Sequence, residues 1–206
     1  MSIVKLSNNG VKNATAFGSI TGLGSMTFIK KLTASSSATL SFVDGASSVV
    51  LDNTYKEYVF TFKNIHPSTD TQDFQFQGNA SGGSGYNETM TTTHFLTQHA
   101  EDGSYASVEY SGSRDLAQST SFATLSGGVG NDNDQNLSGF LHLFNPSSDT
   151  FVKHFISNVQ ISQGSDYSVC SYSAGYFNTT SAIDEIQFKF ASGNIDAGDI
   201  CLYGIA

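Results

Sequence analysis

Ala182-Ile-Asp-Glu-Ile-Gln-Phe-Lys-Phe-Ala-Ser-Gly-Asn-Ile-Asp-Ala-Gly-Asp-Ile-Cys-Leu-Tyr-Gly-Ile-Ala206 decides the fold class. Ile186, Phe188 and Phe190 alternate with Gln187 and Lys189, the period of a half-buried strand. Ser192-Gly-Asn194 and Ala197-Gly-Asp199 then read as turns, because Gly and Asn accept positive φ cheaply. From Ile200 to Ile205 both parities are apolar: Ile200 and Leu202 on one, Cys201, Tyr203 and Ile205 on the other. Such a strand is expected to be covered on both faces. The two strands are placed at the centre of the fold, with earlier strands paired or packed against them.

Working back from that stretch, the same alternation recurs. Tyr58, Phe60 and Phe62 share one side of Tyr55–Lys63, with Glu57, Val59, Thr61 and Lys63 on the other. Phe74 and Phe76 mark its partner, after a turn at Asn64–Asp70 in which Pro67 keeps His66 out of the helical region. Met26–Leu32, Ala38–Val43, Tyr105–Tyr110, Gly139–Asn145, Phe151–Ile161 and Val169–Phe177 read as further strands. Asn79–Gly85 reads as an exposed loop, Ser126–Asn136 as a long loop, and Thr91–Ala100 as either a helical turn or a bent strand. Many short strands, 2 prolines and no long helical period predict an all-β fold, a β-sandwich or jelly roll over residues 26–206. Residues 1–25 scatter Ile3, Val4, Leu6, Val11, Phe17 and Ile20 without period, so they are expected to form an extended N-terminal arm.

Composition supports this class. With 206 residues the chain can bury a core without staples, and 20 Gly, 16 Phe and 9 Tyr against only 13% charged residues favour strands and turns over helices. The net charge of −9 and the lack of clustered Lys and Arg argue against a nucleic-acid partner. No stretch approaches the ~20 apolar residues of a membrane helix. Met1–Gly10 lacks the apolar core of a signal peptide, so assembly in a cytoplasm is expected.

Motifs that carry chemistry are few. No Gly-x-Ser-x-Gly elbow, P-loop or His-Glu-x-x-His occurs, so no enzyme, no catalytic residue and no cofactor are expected. His94 and His99, or His142 and His154 in neighbouring strands, could suggest a metal; the expectation is none, with the last two as ordinary strand residues. Asp132, Asp134 and Asn136 space oxygen atoms as a calcium loop does, but the closing Glu is missing and a solvated turn is expected. Cys170 and Cys201 are expected as buried free thiols. The sequons at Asn13, Asn79, Asn87, Asn136 and Asn178 follow from composition. Trp, the best sugar platform, is absent; Tyr86 or Tyr105 could replace it but are expected in a core or interface.

Thr54-Tyr-Lys-Glu-Tyr-Val-Phe-Thr-Phe-Lys-Asn-Ile-His-Pro-Ser-Thr-Asp70 and Gly82-Gly-Ser-Gly-Tyr-Asn87 resemble a family of tailed-bacteriophage virion proteins common in phages of marine bacteria. Ser138-Gly-Phe-Leu-His-Leu-Phe-Asn-Pro-Ser-Ser-Asp-Thr-Phe-Val-Lys-His-Phe155 and Ser192–Ile205 fit the same pattern, so the resemblance covers most of the chain from residue 26. It implies a virion structural protein, with no catalytic residues to carry over. The expected role is capsid decoration or cementing through other virion proteins, as a homo-oligomer, with a trimer expected. The alternative is a tail-fibre or adsorption protein that binds host-surface glycans.

Overall fold

A computed structural model describes residues 26–206, so the expected arm lies outside the described residues. Twelve strands form: β1 (Met26–Thr33), β2 (Leu40–Val43), β3 (Glu57–Pro67), β4 (Gln72–Ala80), β5 (Met90–Ala100) and β6 (Ala106–Tyr110). They continue as β7 (Ala123–Val129), β8 (Leu137–Phe144), β9 (Lys153–Gln163), β10 (Tyr167–Phe177), β11 (Ile183–Phe190) and β12 (Ile195–Ile205). All pairs are antiparallel, and the described residues contain no helix. The all-β expectation is met.

Eight strands lie side by side in the order β1-β12-β3-β8-β9-β10-β5-β6, and four more in the order β7-β4-β11-β2. The pair Val129↔Gln163 between β7 and β9 joins the two parts into one hydrogen-bonded sheet. This continuity departs from the two separate sheets of the expected sandwich or jelly roll. The sheet curls over itself and is nearly closed, like a barrel, and rings of β4 and β11 meet rings of β3, β9 and β10 across its interior.

Aromatic burial holds that closure. The Phe188 ring centre in β11 lies 5.3–6.3 Å from those of Phe42, Phe60, Phe62, Phe74 and Phe76. Phe60 and Phe62 belong to β3, which is no ladder neighbour of β11, so these contacts cross the interior. Edge-on pairs of this kind contribute about 0.5–1.5 kcal/mol beyond their area. Tyr58 closes one end: its hydroxyl donates to the Asp52 carbonyl at 3.0 Å and accepts from the Asp52 amide at 3.1 Å. Burial pushes that phenol up to about 12.

Several boundaries correct the sequence reading. β3 continues to Pro67, since the extended backbone that Pro67 demands of His66 is also what a strand supplies. Asn64 absorbs the irregularity at φ 52°. Opposite it, Ala197-Gly-Asp199 is a bulge inside β12, with Gly198 at φ 115°. β4 runs through Asn79 and Ala80, both buried. Thr91–Ala100 is strand, and Ser126-Gly-Gly-Val129 belongs to the fully buried β7. The two C-terminal strands do not pair with each other: β11 lies between β4 and β2, and β12 between β3 and β1.

Candidate functional site

The wide, eight-strand part of the sheet has one face turned to the buried interior and an outer one. In β8 Leu137, Leu141 and Leu143 are buried, while Phe140, His142 and Phe144 point outward. In β9 Phe155, Val159 and Ile161 are buried, and Ile156 and Asn158 point outward. The register joins these outward residues into rows across the strands. One row runs Phe28, Tyr203, Val59, His142, Ile156, Ala174. The next runs Thr61, Phe140, Asn158, Tyr172, Phe95, Tyr110.

Large apolar side chains on this face remain exposed, from 38% for Tyr172 to 76% for Val108. Phe95 and Tyr172 face each other across β5 and β10 with ring centres 4.8 Å apart and planes 7° from parallel. Phe28 meets Tyr203 edge-on at 5.6 Å. Small Ala174, between Ile156 and Thr93, leaves a dip of about 420 Å³ bordered by Phe144, His154 and Tyr176. Single exposed apolar residues are ordinary on a soluble protein, but contiguous aromatic patches mark contact surfaces.

This face corrects the reading of the last strand. Ile200 and Leu202 are buried as expected, whereas Cys201, Tyr203 and Ile205 on the opposite parity are only half-buried. The sequence builds β12 for cover on both faces, and among the described residues only one face is covered. The reading missed the surface for that reason: apolar residues on both parities signal two covers without saying that one of them must come from outside.

The residues considered for chemistry do not converge. Asp134 and Asn136 line a polar hollow of about 420 Å³ with His66 and Asp196. No group of three or more His, Cys, Asp or Glu side chains gathers for a metal among the described residues. His142 and His154 share the outer face, as ordinary strand residues would; His142 Nε2 lies 2.9 Å from Glu57 Oε2, near enough for an ion pair though not angled as a hydrogen bond. His154 stands edge-on to Tyr176 at 5.8 Å. Cys170 and Cys201 are free and half-buried rather than buried, with β9, β8 and β3 between their strands. Tyr105 is exposed, meeting Tyr167 at 6.2 Å, while Tyr86 is half-buried and its phenol is raised by that burial. His99 is exposed. Among the sequons Asn79 is buried and Asn13 lies outside the described residues.

His94 is a fully buried titratable group whose burial its polar neighbours in sequence do not signal. Ser173 Oγ donates to the Thr124 carbonyl at 2.9 Å and lies 2.8 Å from His94 Nδ1. With the only Ser173 proton committed, the network assigns the imidazole proton to Nδ1, which donates to Ser173 Oγ and to the Thr124 carbonyl 3.3 Å away. Nε2 then carries a lone pair with no hydrogen-bond partner. Burial lowers the His94 pKa, the Thr124 hydrogen bond opposes that shift, and the Arg114 charge adds to it. This is a neutral interior histidine, enclosed rather than presented to a substrate.

No protein-family model, curated protein or solved structure matches this chain.

Proposed function

We propose that the chain is a non-enzymatic structural subunit of a bacteriophage virion, decorating or cementing the outside of the capsid through protein–protein contacts. One observation carries the mechanism: the outer face of the wide sheet, with Phe140, Ile156, Tyr172 and Phe95 exposed on adjacent strands. The four segments that resemble phage virion proteins supply the setting. Adhesion comes from burying such a face against a neighbouring subunit, and a stable joint of this kind covers about 1,200–2,000 Å² in total. Repetition over a symmetric shell multiplies modest contacts. The subunit assembles in the host cytoplasm, needs neither nucleic acid nor membrane, and works as a homo-oligomer, a trimer in this reading. The layered description belongs to the same proposal: four strands laid on eight as a flattened sandwich, supported by the aromatic contacts from β3 to β11.

A tail-fibre or adsorption protein that binds host-surface glycans is the second reading. It is favoured by exposed Tyr105 and Tyr110 at either end of β6, since aromatic faces stack on sugar rings. Binding of the purified protein to empty capsids and to a glycan array separates the two. Capsid binding without glycan binding, and recovery of the chain from purified heads, is expected. Glycan binding with recovery from tails selects the second reading, and absence from particles overturns both.

A further inference from the structure

We propose that the outer face of the wide sheet is covered, in the assembled protein, by another copy of this chain. The inference rests on the reading of that face as a contact surface and names its partner.

Size is the first argument. Eight strands about 4.8 Å apart, crossed by five or six residues at about 3.3 Å each, give a projection of roughly 600 Å². Protruding rings roughen it further. That approaches the ~800 Å² per partner of a stable standard interface.

Charge is the second. The chain carries a net −9, yet the outward positions of β8, β9, β10 and β5 hold no Lys, Arg, Asp or Glu; the charges of the face, Glu57 and Lys63 on β3 and the Lys31–Asp199 pair of β1 and β12, lie to one side of that apolar half. A partner of opposite charge finds nothing to pair with there, whereas a like copy meets no like charge. Contacts between identical subunits are the more apolar class of interface, and most close by symmetry.

The sheet edges supply the third argument. β1 bears Lys30 and Lys31 beside a register shift after Phe28, and β6 is only five residues long. Both features discourage strand addition at an edge, which leaves the face as the contact. Sheets stacked face to face sit ~10 Å apart, within reach of outward aromatic rings. The parallel Phe95–Tyr172 pair is already ordered, so it loses little freedom when a second copy settles on it.

The mass of the full chain in solution, followed across the micromolar range by sedimentation, tests this. The wild type is expected to show two or more chains: two where the face meets the same face of the copy, three where it meets a different surface of the copy in a closed ring. Tyr172→Glu and Phe140→Glu are each expected to weaken self-association by roughly 30-fold or more, the loss that follows from removing an interface hot spot, while the circular dichroism spectrum stays that of the wild type. Phe151→Glu, in the turn before β9, is expected to leave the mass unchanged. Should a glutamate variant misfold, Tyr172→Ser gives the same reading with a milder change. A single chain at every concentration overturns the inference, as does self-association untouched by the face variants. A monomer that still decorates capsids overturns it and leaves the structural reading standing. An oligomer absent from purified particles does the reverse.

Discussion

Phe188 is the residue on which the interior converges, touching aromatic rings from β2, β3 and β4 at once. Phe188→Ala is expected to cost about 3–5 kcal/mol, the range for removing a fully buried ring, and urea unfolding reads it as a lowered midpoint. Its role was legible in the sequence, because Ile186, Phe188 and Phe190 alternate with polar neighbours. That of His94 was not. It sits in the polar run Thr91–Ala100, and its burial comes from β7 and β10 packing around it. Its lowered pKa fixes a sign: the unfolded chain, near the usual value of about 6.5, takes up a proton before the folded chain does. Stability from this group is therefore complete above about pH 6.5, is lost as pH falls below it, and levels off under the folded pKa. His94→Gln is expected to flatten that part of the profile, measured as urea midpoint against pH. An unchanged slope would contradict the burial argument.

At the scale of elements, strands rich in Phe and Tyr were readable and those built from Gly and Ser were not. β7 reads as loop because Ser126, Gly127 and Gly128 give no alternation. Their places are instead set by neighbours: a Cβ on Gly127 would run into the Arg114 guanidinium, and one on Gly128 into the Gln163 side chain at 2.7 Å. The paired irregularities of β3 and β12 were hidden for a related reason, since Ala197-Gly-Asp199 has turn chemistry whether it ends a strand or bulges within one. Gly198 holds φ 115°, and a Cβ there would lie 2.5 Å from the Asn64 carbonyl oxygen. Gly198→Ala is expected to cost roughly 1–3 kcal/mol from the backbone alone. For a chain of this length that corresponds to a thermal midpoint lower by roughly 2–4 °C for each kcal/mol. Calorimetry on the variant checks it, and an unshifted midpoint would mean that the bulge relaxes freely.

For the whole molecule, the fold class followed from strand spacing and composition, while the closure did not. Whether two parts form separate sheets or one nearly closed sheet turns on a single ladder pair, Val129↔Gln163, which no local pattern encodes. The outer face was half legible: apolar residues on both parities of β12 signalled a second cover, and only the folded chain shows which side lacks it. Because each copy carries −9, added salt is expected to strengthen self-association by screening repulsion between like molecules. Sedimentation at low and high ionic strength measures this, and weakening by salt would point to charged contacts instead.

Hydroxyl-radical footprinting of the assembled protein, read residue by residue, tests the contact face most directly. Phe140, Ile156 and Tyr172 are predicted to be protected relative to dilute protein, while Phe151, 69% exposed and outside the sheet, is oxidised equally in both. Oxidation of the three face residues to the same extent in both states would contradict the claim that this face exists to be covered.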